Sequence, residues 1–202
     1  LQLEGRNTEA IANFQKALLA RPNHPAALTN LAVALQPAGR TAEAINYYRQ
    51  ALRANPDYVS ARYNLANLLL AKGDVAEAIT HLRESLRLRP DDAGAHNSLG
   101  SALAMQNNLT EAATHFAESV RLNPDNADAQ GNYAAVLAAL NKPNEAISHY
   151  EQALRLNPNN ADAHNELGAL LAGQGKLKAA VPHFEQAVKL DPNNAAAREN
   201  LK

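Results

Sequence analysis

Six prolines, Pro22, Pro56, Pro90, Pro124, Pro158 and Pro192, follow one another at intervals of 34 residues along a chain of 202. Proline lacks the backbone N–H and breaks a helix interior. A column of such breakers at one fixed interval means that a single structural unit is copied along the chain. The remaining four prolines, Pro25, Pro37, Pro143 and Pro182, lie outside the column.

With the proline numbered as position 32 of a unit, further columns align. Position 20 reads Ala10, Ala44, Ala78, Ala112, Ala146 and Ala180; position 24 reads Phe14, Tyr48, Leu82, Phe116, Tyr150 and Phe184. Position 27 reads Ala17, Ala51, Ser85, Ser119, Ala153 and Ala187. Steps of four and three place these residues on one helical face. A second apolar stripe runs through position 7 (Leu31, Leu65, Leu99, Tyr133, Leu167, Leu201), position 8 (Ala32, Ala66, Gly100, Ala134, Gly168) and position 11 (Leu35, Leu69, Leu103, Leu137, Leu171). Between the stripes, position 15 holds only Gly5, Gly39, Gly73, Asn107, Asn141 and Gly175. Gly and Asn are the residues that most readily take the left-handed conformation closing a helix. Each unit therefore reads as helix, tight turn, helix, with helices expected near 26–38 and 42–54 and at their translates.

Charge marks the ends of the second helix. Glu9, Glu43, Glu77, Glu111 and Glu145 fall in its first turn, and Arg53, Arg87, Arg121, Arg155 and Lys189 in its last, as the helix dipole favours. Asp74 with Glu77, and Asn108 with Glu111, have the spacing of capping boxes. Pro25 opens a first helix and Pro143 a second, where a missing N–H costs little. Pro182 lies near the start of its helix, and Pro37 is expected to bend the end of a first helix toward Gly39.

The pattern of Leu-Gly, then Ala-x-x-x-Phe, then Pro in 34 residues resembles the tetratricopeptide repeat. The resemblance covers the whole chain as one domain: full units 25–58, 59–92, 93–126, 127–160 and 161–194, with partial units 1–24 and 195–202. The run Ala161-Asp162-Ala163-His164-Asn165-Glu166-Leu167-Gly168 is similar in style to repeats of the O-linked N-acetylglucosamine transferase array. At the fourth position, where the family often has Trp, stand Leu28, Arg62, His96, Gln130, His164 and Arg198. The resemblance implies an all-α, right-handed superhelical solenoid of antiparallel hairpins, in which the first helix of each hairpin lines a concave groove. Stacking is what such units need, because one hairpin cannot bury its own apolar stripes.

Composition narrows the function. With no Cys, disulfides, thiolate metal sites and thiol nucleophiles are excluded; a soluble chain is expected, at home in cytosol or periplasm with the cytoplasm slightly favoured. Nineteen cations against 20 anions give a formal charge of −1, without the basic excess of a nucleic-acid binder. No apolar run approaches the roughly 18 residues of a membrane span, and no targeting segment opens the sequence. No nucleophile–base pair, metal cluster or phosphate-binding glycine loop is legible, so no cofactor and no catalysis are expected.

The groove implied by the resemblance is lined by positions 2, 5, 6, 9, 12 and 13. Position 6 reads Asn30, Asn64, Ser98, Asn132, Glu166 and Asn200, with Tyr63, Asn97 and Asn165 at position 5 and Asn67 and Ser101 at position 9. An Asn amide offers a donor and an acceptor in one plane and can pair with the backbone of an extended peptide. Asn is a mediocre helix former, so its recurrence here calls for a reason beyond propensity. The candidate peptide-binding residues are Asn30, Tyr63, Asn64, Asn67, Asn97, Ser98, Asn132, Asn165 and Glu166. Tyr63 would be the aromatic anchor among them. Some tetratricopeptide domains clamp the acidic carboxyl ends of heat-shock chaperones with Lys and Arg; the groove positions of the five full units contain neither. Asp128, Asp162 and Glu166 favour a cationic or neutral ligand at the C-terminal side.

His81, His115, His149 and His183 form a column at position 23. Neighbours in successive units stand about 10 Å apart or more, too wide for shared metal ligation, so these side chains are expected on the outer edge of each second helix. His96 and His164 are expected to pack in place of Trp. The function expected is a non-catalytic scaffold binding an extended protein segment, with a partner-recruiting array of a larger enzyme such as a glycosyltransferase as the alternative. Leu1, Leu3, Ile11, Phe14 and Leu201 belong to stripes that an interior unit would bury, so the segment is expected to be part of a longer array, or to self-associate end to end or as a dimer.

Overall fold

The computed structural model describes residues 2–201, with side chains from residue 7 onward. Twelve α-helices and no strand are found among the described residues. The chain divides into two compact units, Leu1–Asp91 and Asp92–Lys202. The first holds α1 (Gln2–Ala20), α2 (Pro25–Leu35), α3 (Thr41–Ala54), α4 (Val59–Lys72) and α5 (Val75–Leu88). The second holds α6 (Ala93–Met105), α7 (Leu109–Leu122), α8 (Ala127–Ala139), α9 (Pro143–Leu156), α10 (Ala161–Gly173), α11 (Leu177–Leu190) and α12 (Ala195–Asn200).

Within each unit the helices pair as hairpins: α2 with α3, α4 with α5, α6 with α7, α8 with α9, α10 with α11. Consecutive hairpins then join through the second helix of one and the first helix of the next, as in α3 against α4, α7 against α8 and α9 against α10. Both apolar stripes are buried in these contacts. In the first unit Leu31, Ala32, Leu35, Ala44, Tyr48 and Ala51 are at most 1% exposed. In the second, Ala134, Tyr150, Leu154, Ala163, Leu167, Leu171, Ala180 and Phe184 form one contiguous core. Small and large residues interlock across the hairpin. A Cβ on Gly100 would lie 2.9 Å from the Phe116 ring, and one on Gly168 would lie 2.7 Å from Phe184. Where position 8 is Ala, as at Ala66 and Ala134, position 24 is Leu82 or Tyr150.

The turns follow one design. Gly39, Gly73, Asn107, Asn141 and Gly175 all have positive φ, between 58° and 87°. The amide after each returns to the carbonyl of the position-11 leucine: Arg40 to Leu35 at 3.1 Å, Asp74 to Leu69, Asn108 to Leu103 and Lys142 to Leu137 at 2.9 Å, and Lys176 to Leu171 at 3.0 Å. This is the six-to-one bond that satisfies the last orphan carbonyls of a helix.

Several local expectations are corrected. Gly5 makes no turn, for α1 runs through it. Pro37 ends α2 at Leu35 rather than bending it, because the missing N–H removes the next rung. The capping boxes do not form. Asp74 and Asn108 make no side-chain cap bond; Asp74 pairs with Lys72 at 3.0 Å, and the Asn108 amide donates to Glu111 at 2.7 Å. The working caps stand before the first helices, where Asp92, Asn126, Asn160 and Asn194 each accept the amide three residues on at 3.0 Å. Leu1 and the Leu3 side chain lie outside the described residues; Ile11 is 9% exposed and so buried within the chain itself.

Candidate functional site

The candidate residues fall on first helices in both units. In the first unit Asn30 is exposed on α2, while Tyr63, Asn64 and Asn67 are half-buried on α4. In the second, Asn97 and Ser98 on α6 and Asn132 on α8 are half-buried, Asn165 on α10 is buried, and Glu166 is exposed.

The second unit brings some of these together. Asn132 Nδ2 donates to Asn97 Oδ1 at 3.2 Å, and Asn200 Nδ2 donates to Asn165 Oδ1 at 3.0 Å. Each pair links position 6 of one repeat to position 5 of the repeat before it. An amide pair of this kind engages one NH2 group and one carbonyl and leaves the other NH2 and the other carbonyl unengaged. At Asn97 and Asn132 these are the Asn97 N–H and the Asn132 carbonyl, on half-buried side chains. Asn165 is different: its own Nδ2 donates to Glu166 Oε1 at 3.3 Å, and the residue is 6% exposed. Its amide therefore positions Glu166 and Asn200 and is turned away from solvent. Among the described residues Asn30, Tyr63, Asn64 and Asn67 form no such ladder, and the buried Thr29 hydroxyl has no partner.

The register predicts a third pairing, between position 6 of the fifth unit and position 5 of the fourth. There the residues are Glu166 and Gly131, and no side chain reaches across. A pocket of about 520 Å³ opens at this point, lined by Asp128, Gly131, Asn132, Tyr150, Asp162 and Glu166 among others. No Lys, Arg or His is among its walls. Tyr150 is 4% exposed, and burial first, then the neighbouring Glu166 charge, pushes its phenol well above the usual range. Tyr48, at the same position of an earlier unit, is pushed up to about 12 by burial, but it accepts a hydrogen bond from Gln36 Nε2 at 2.7 Å.

The position-23 histidines are not on an outer edge. Three of the four turn inward to the position-4 side chain of their own hairpin: His115 Nδ1 lies 3.0 Å from His96 Nδ1, His183 Nδ1 lies 3.0 Å from His164 Nδ1, and His149 Nδ1 lies 2.7 Å from Gln130 Oε1; His81 is half-buried, with Nε2 3.6 Å from Glu77. Position 4 in turn reaches the carbonyl of the column proline before it, from Arg62 to Pro56 at 2.6 Å, Gln130 to Pro124 at 2.9 Å and His164 to Pro158 at 3.1 Å. Gln130 and His164, standing where the family often has Trp, are thus polar struts between the loop and the second helix. Since His164 Nε2 donates to a carbonyl, its Nδ1 is bare in the neutral ring, and His183 Nδ1 supplies the proton between them. Burial lowers the basicity of His81, His149 and His183. Among the described residues no three metal-ligating side chains gather.

A stacked series of helical hairpins with a recurrent polar first-helix face defines a repeat protein of the interaction-scaffold class. Sequence models of the tetratricopeptide repeat match residues 1–57, 36–93, 63–127 and 134–195, and the chain belongs to that family. Its solved relatives in fold include PilF of Pseudomonas aeruginosa, with a TM-score of 0.88 at 22% identity over 98% of this chain and 90% of that one. YrrB, a tetratricopeptide protein described as having an unusual peptide-binding site, gives 0.79 at 22% identity over 92% and 96%. MamA gives 0.74 at 25% identity over 82% and 96%. No curated protein matches the sequence. No helix among the described residues is long and apolar enough to cross a membrane.

Proposed function

We propose that the chain is a non-catalytic scaffold that holds an extended segment of another protein along its first-helix faces, chiefly through that segment's backbone. The observation that carries this reading is the Asn97–Asn132 pair. It fixes two amides and leaves a donor and an acceptor beside each other on a half-buried face. A peptide unit presents the complementary acceptor and donor whatever its side chains are. Pre-fixing the amides also spares the entropy of ordering them on binding. Tyr63, Asn64 and Asn67 offer the same chemistry on α4 of the first unit, with Asn30 exposed on α2.

The test is a comparison of two variants for binding to a peptide array or to a purified partner. Asn97→Ala with Asn132→Ala removes about two net hydrogen bonds, so binding weakens roughly tenfold to thirtyfold while circular dichroism stays helical. Glu185→Ala, on the exposed side of α11, leaves binding unchanged. The reverse outcome, loss with Glu185→Ala and none with the asparagine pair, would place the ligand elsewhere.

A further inference from the structure

We infer that the pocket around Gly131 and Glu166 is a subsite for one cationic side chain, Lys or Arg, of the bound segment. The inference rests on the peptide-binding reading above and adds a side-chain preference to it. Three observations converge. First, the amide ladder is interrupted here and nowhere else in the second unit. Asn132 meets Asn97 and Asn200 meets Asn165, 35 residues apart in each case, but the equivalent Glu166 finds glycine at 131. A Cβ on Gly131 would meet only Ala153, at 4.0 Å, so core packing does not demand the glycine. Its effect is to leave space on the pocket side. Second, Asp128, Asp162 and Glu166 line that space with no cation among the walls. Among the described residues Asp162 takes only a 3.5 Å contact from Asn194, and Glu166 only the 3.3 Å amide of Asn165. Third, Tyr150, almost wholly buried, lines the same pocket, and its hydroxyl has no hydrogen-bond partner among the described residues. The hydroxyl thus keeps its hydrogen-bonding capacity for an atom that enters the pocket.

A guanidinium or ammonium supplies what all three lack. Its N–H groups can donate to two carboxylates and the phenol oxygen, and its charge offsets three negative ones. The pocket adjoins Asn132, which lines it as well, so the cation would hang from the backbone that the Asn97–Asn132 pair holds. That adjacency favours a side chain of a polypeptide over a free polyamine.

The experiment uses the intact chain and fluorescein-labelled nonapeptides of one Ser-Ala background whose central residue is Arg, Lys, Gln or Glu. Fluorescence anisotropy reads the affinities. The Arg and Lys peptides should bind about tenfold more tightly than the Gln peptide and the Glu peptide most weakly, with the spread collapsing near 1 M salt. Glu166→Gln with Asp128→Asn should bring the Arg peptide down to the Gln level. Gly131→Asn, which refills the gap and restores the ladder, should do the same. Equal binding of the Arg and Gln peptides to the native chain overturns the subsite and leaves the groove reading standing. Failure of every peptide to bind overturns the groove reading and the subsite with it. Displacement of the Arg peptide by spermidine at equal concentration assigns the pocket to a free polyamine and overturns the polypeptide occupant.

Discussion

At the scale of single residues, the same amino acid has opposite meanings at two places. Gly168 lies under the Phe184 ring, and an added Cβ would come 2.7 to 3.1 Å from three ring atoms. Gly131 faces near-empty space. Alanine gains about 1 kcal/mol over glycine in a helix interior. Gly131→Ala should therefore raise stability by up to that amount. Gly168→Ala must displace a packed aromatic ring, and overpacking costs of about 1–3 kcal/mol outweigh the propensity gain. Urea denaturation of the two variants should show shifts of opposite sign. Stabilisation by both would mean that Phe184 has room to move, and that the pairing of Gly with Phe at positions 8 and 24 is incidental.

At the scale of elements, helix ends separate what a sequence column shows from what it hides. The left-handed residue at position 15 was legible because it is a backbone requirement that few side chains meet, and Gly39 through Gly175 meet it. Gly73→Val forces a β-branched residue to φ near 87°, which should cost about 1–2 kcal/mol. A urea midpoint unchanged by Gly73→Val would argue against that turn. The caps were misread, because the spacing of Asp74 and Glu77 says nothing of ψ. Asp74 has ψ 57°, short of the extended value that aims a side chain at the first turn, whereas Asn126 has ψ 102° and bonds the Ala129 amide. Asn126→Ala should thus cost about 1 kcal/mol. Asp74→Ala should cost little, since its partner is an exposed Lys72. Matched thermal melts decide this, and equal losses would restore the capping box.

Across the whole molecule, the helical repeat and its buried stripes were readable because residues 34 apart share one environment. The contacts that individualise the chain join different columns. Asn97 meets Asn132 at a separation of 35, and His164 meets His183 at 19. A column aligned on one period cannot display such pairs, so the histidines read as an outer-edge ladder and the amides as independent groups. Their inward position has a consequence for pH. His81 and His149 on separate units, and His183, are all held less basic than the ordinary 6.5, with burial the largest cause. The carboxylates Glu77 and Glu145, respectively, oppose the shift at the first two. At His183 the facing His164 adds to it and Glu151 opposes it. Between the folded and unfolded pKa values the unfolded chain binds more protons, so stability rises with pH there. The contribution is whole above about pH 6.5 and is lost as pH falls through that value and the lower folded ones. Glu43, Glu84 and Glu118 are held below the ordinary 4.5 by their arginine partners, so their own effect comes only at more acid pH. Urea midpoints should therefore fall from pH 7.5 to pH 5.5, and the triple variant His81→Asn, His149→Asn, His183→Asn should show a flatter profile over that range. A native midpoint that stays level or rises on acidification would mean that these rings are charged in the folded chain.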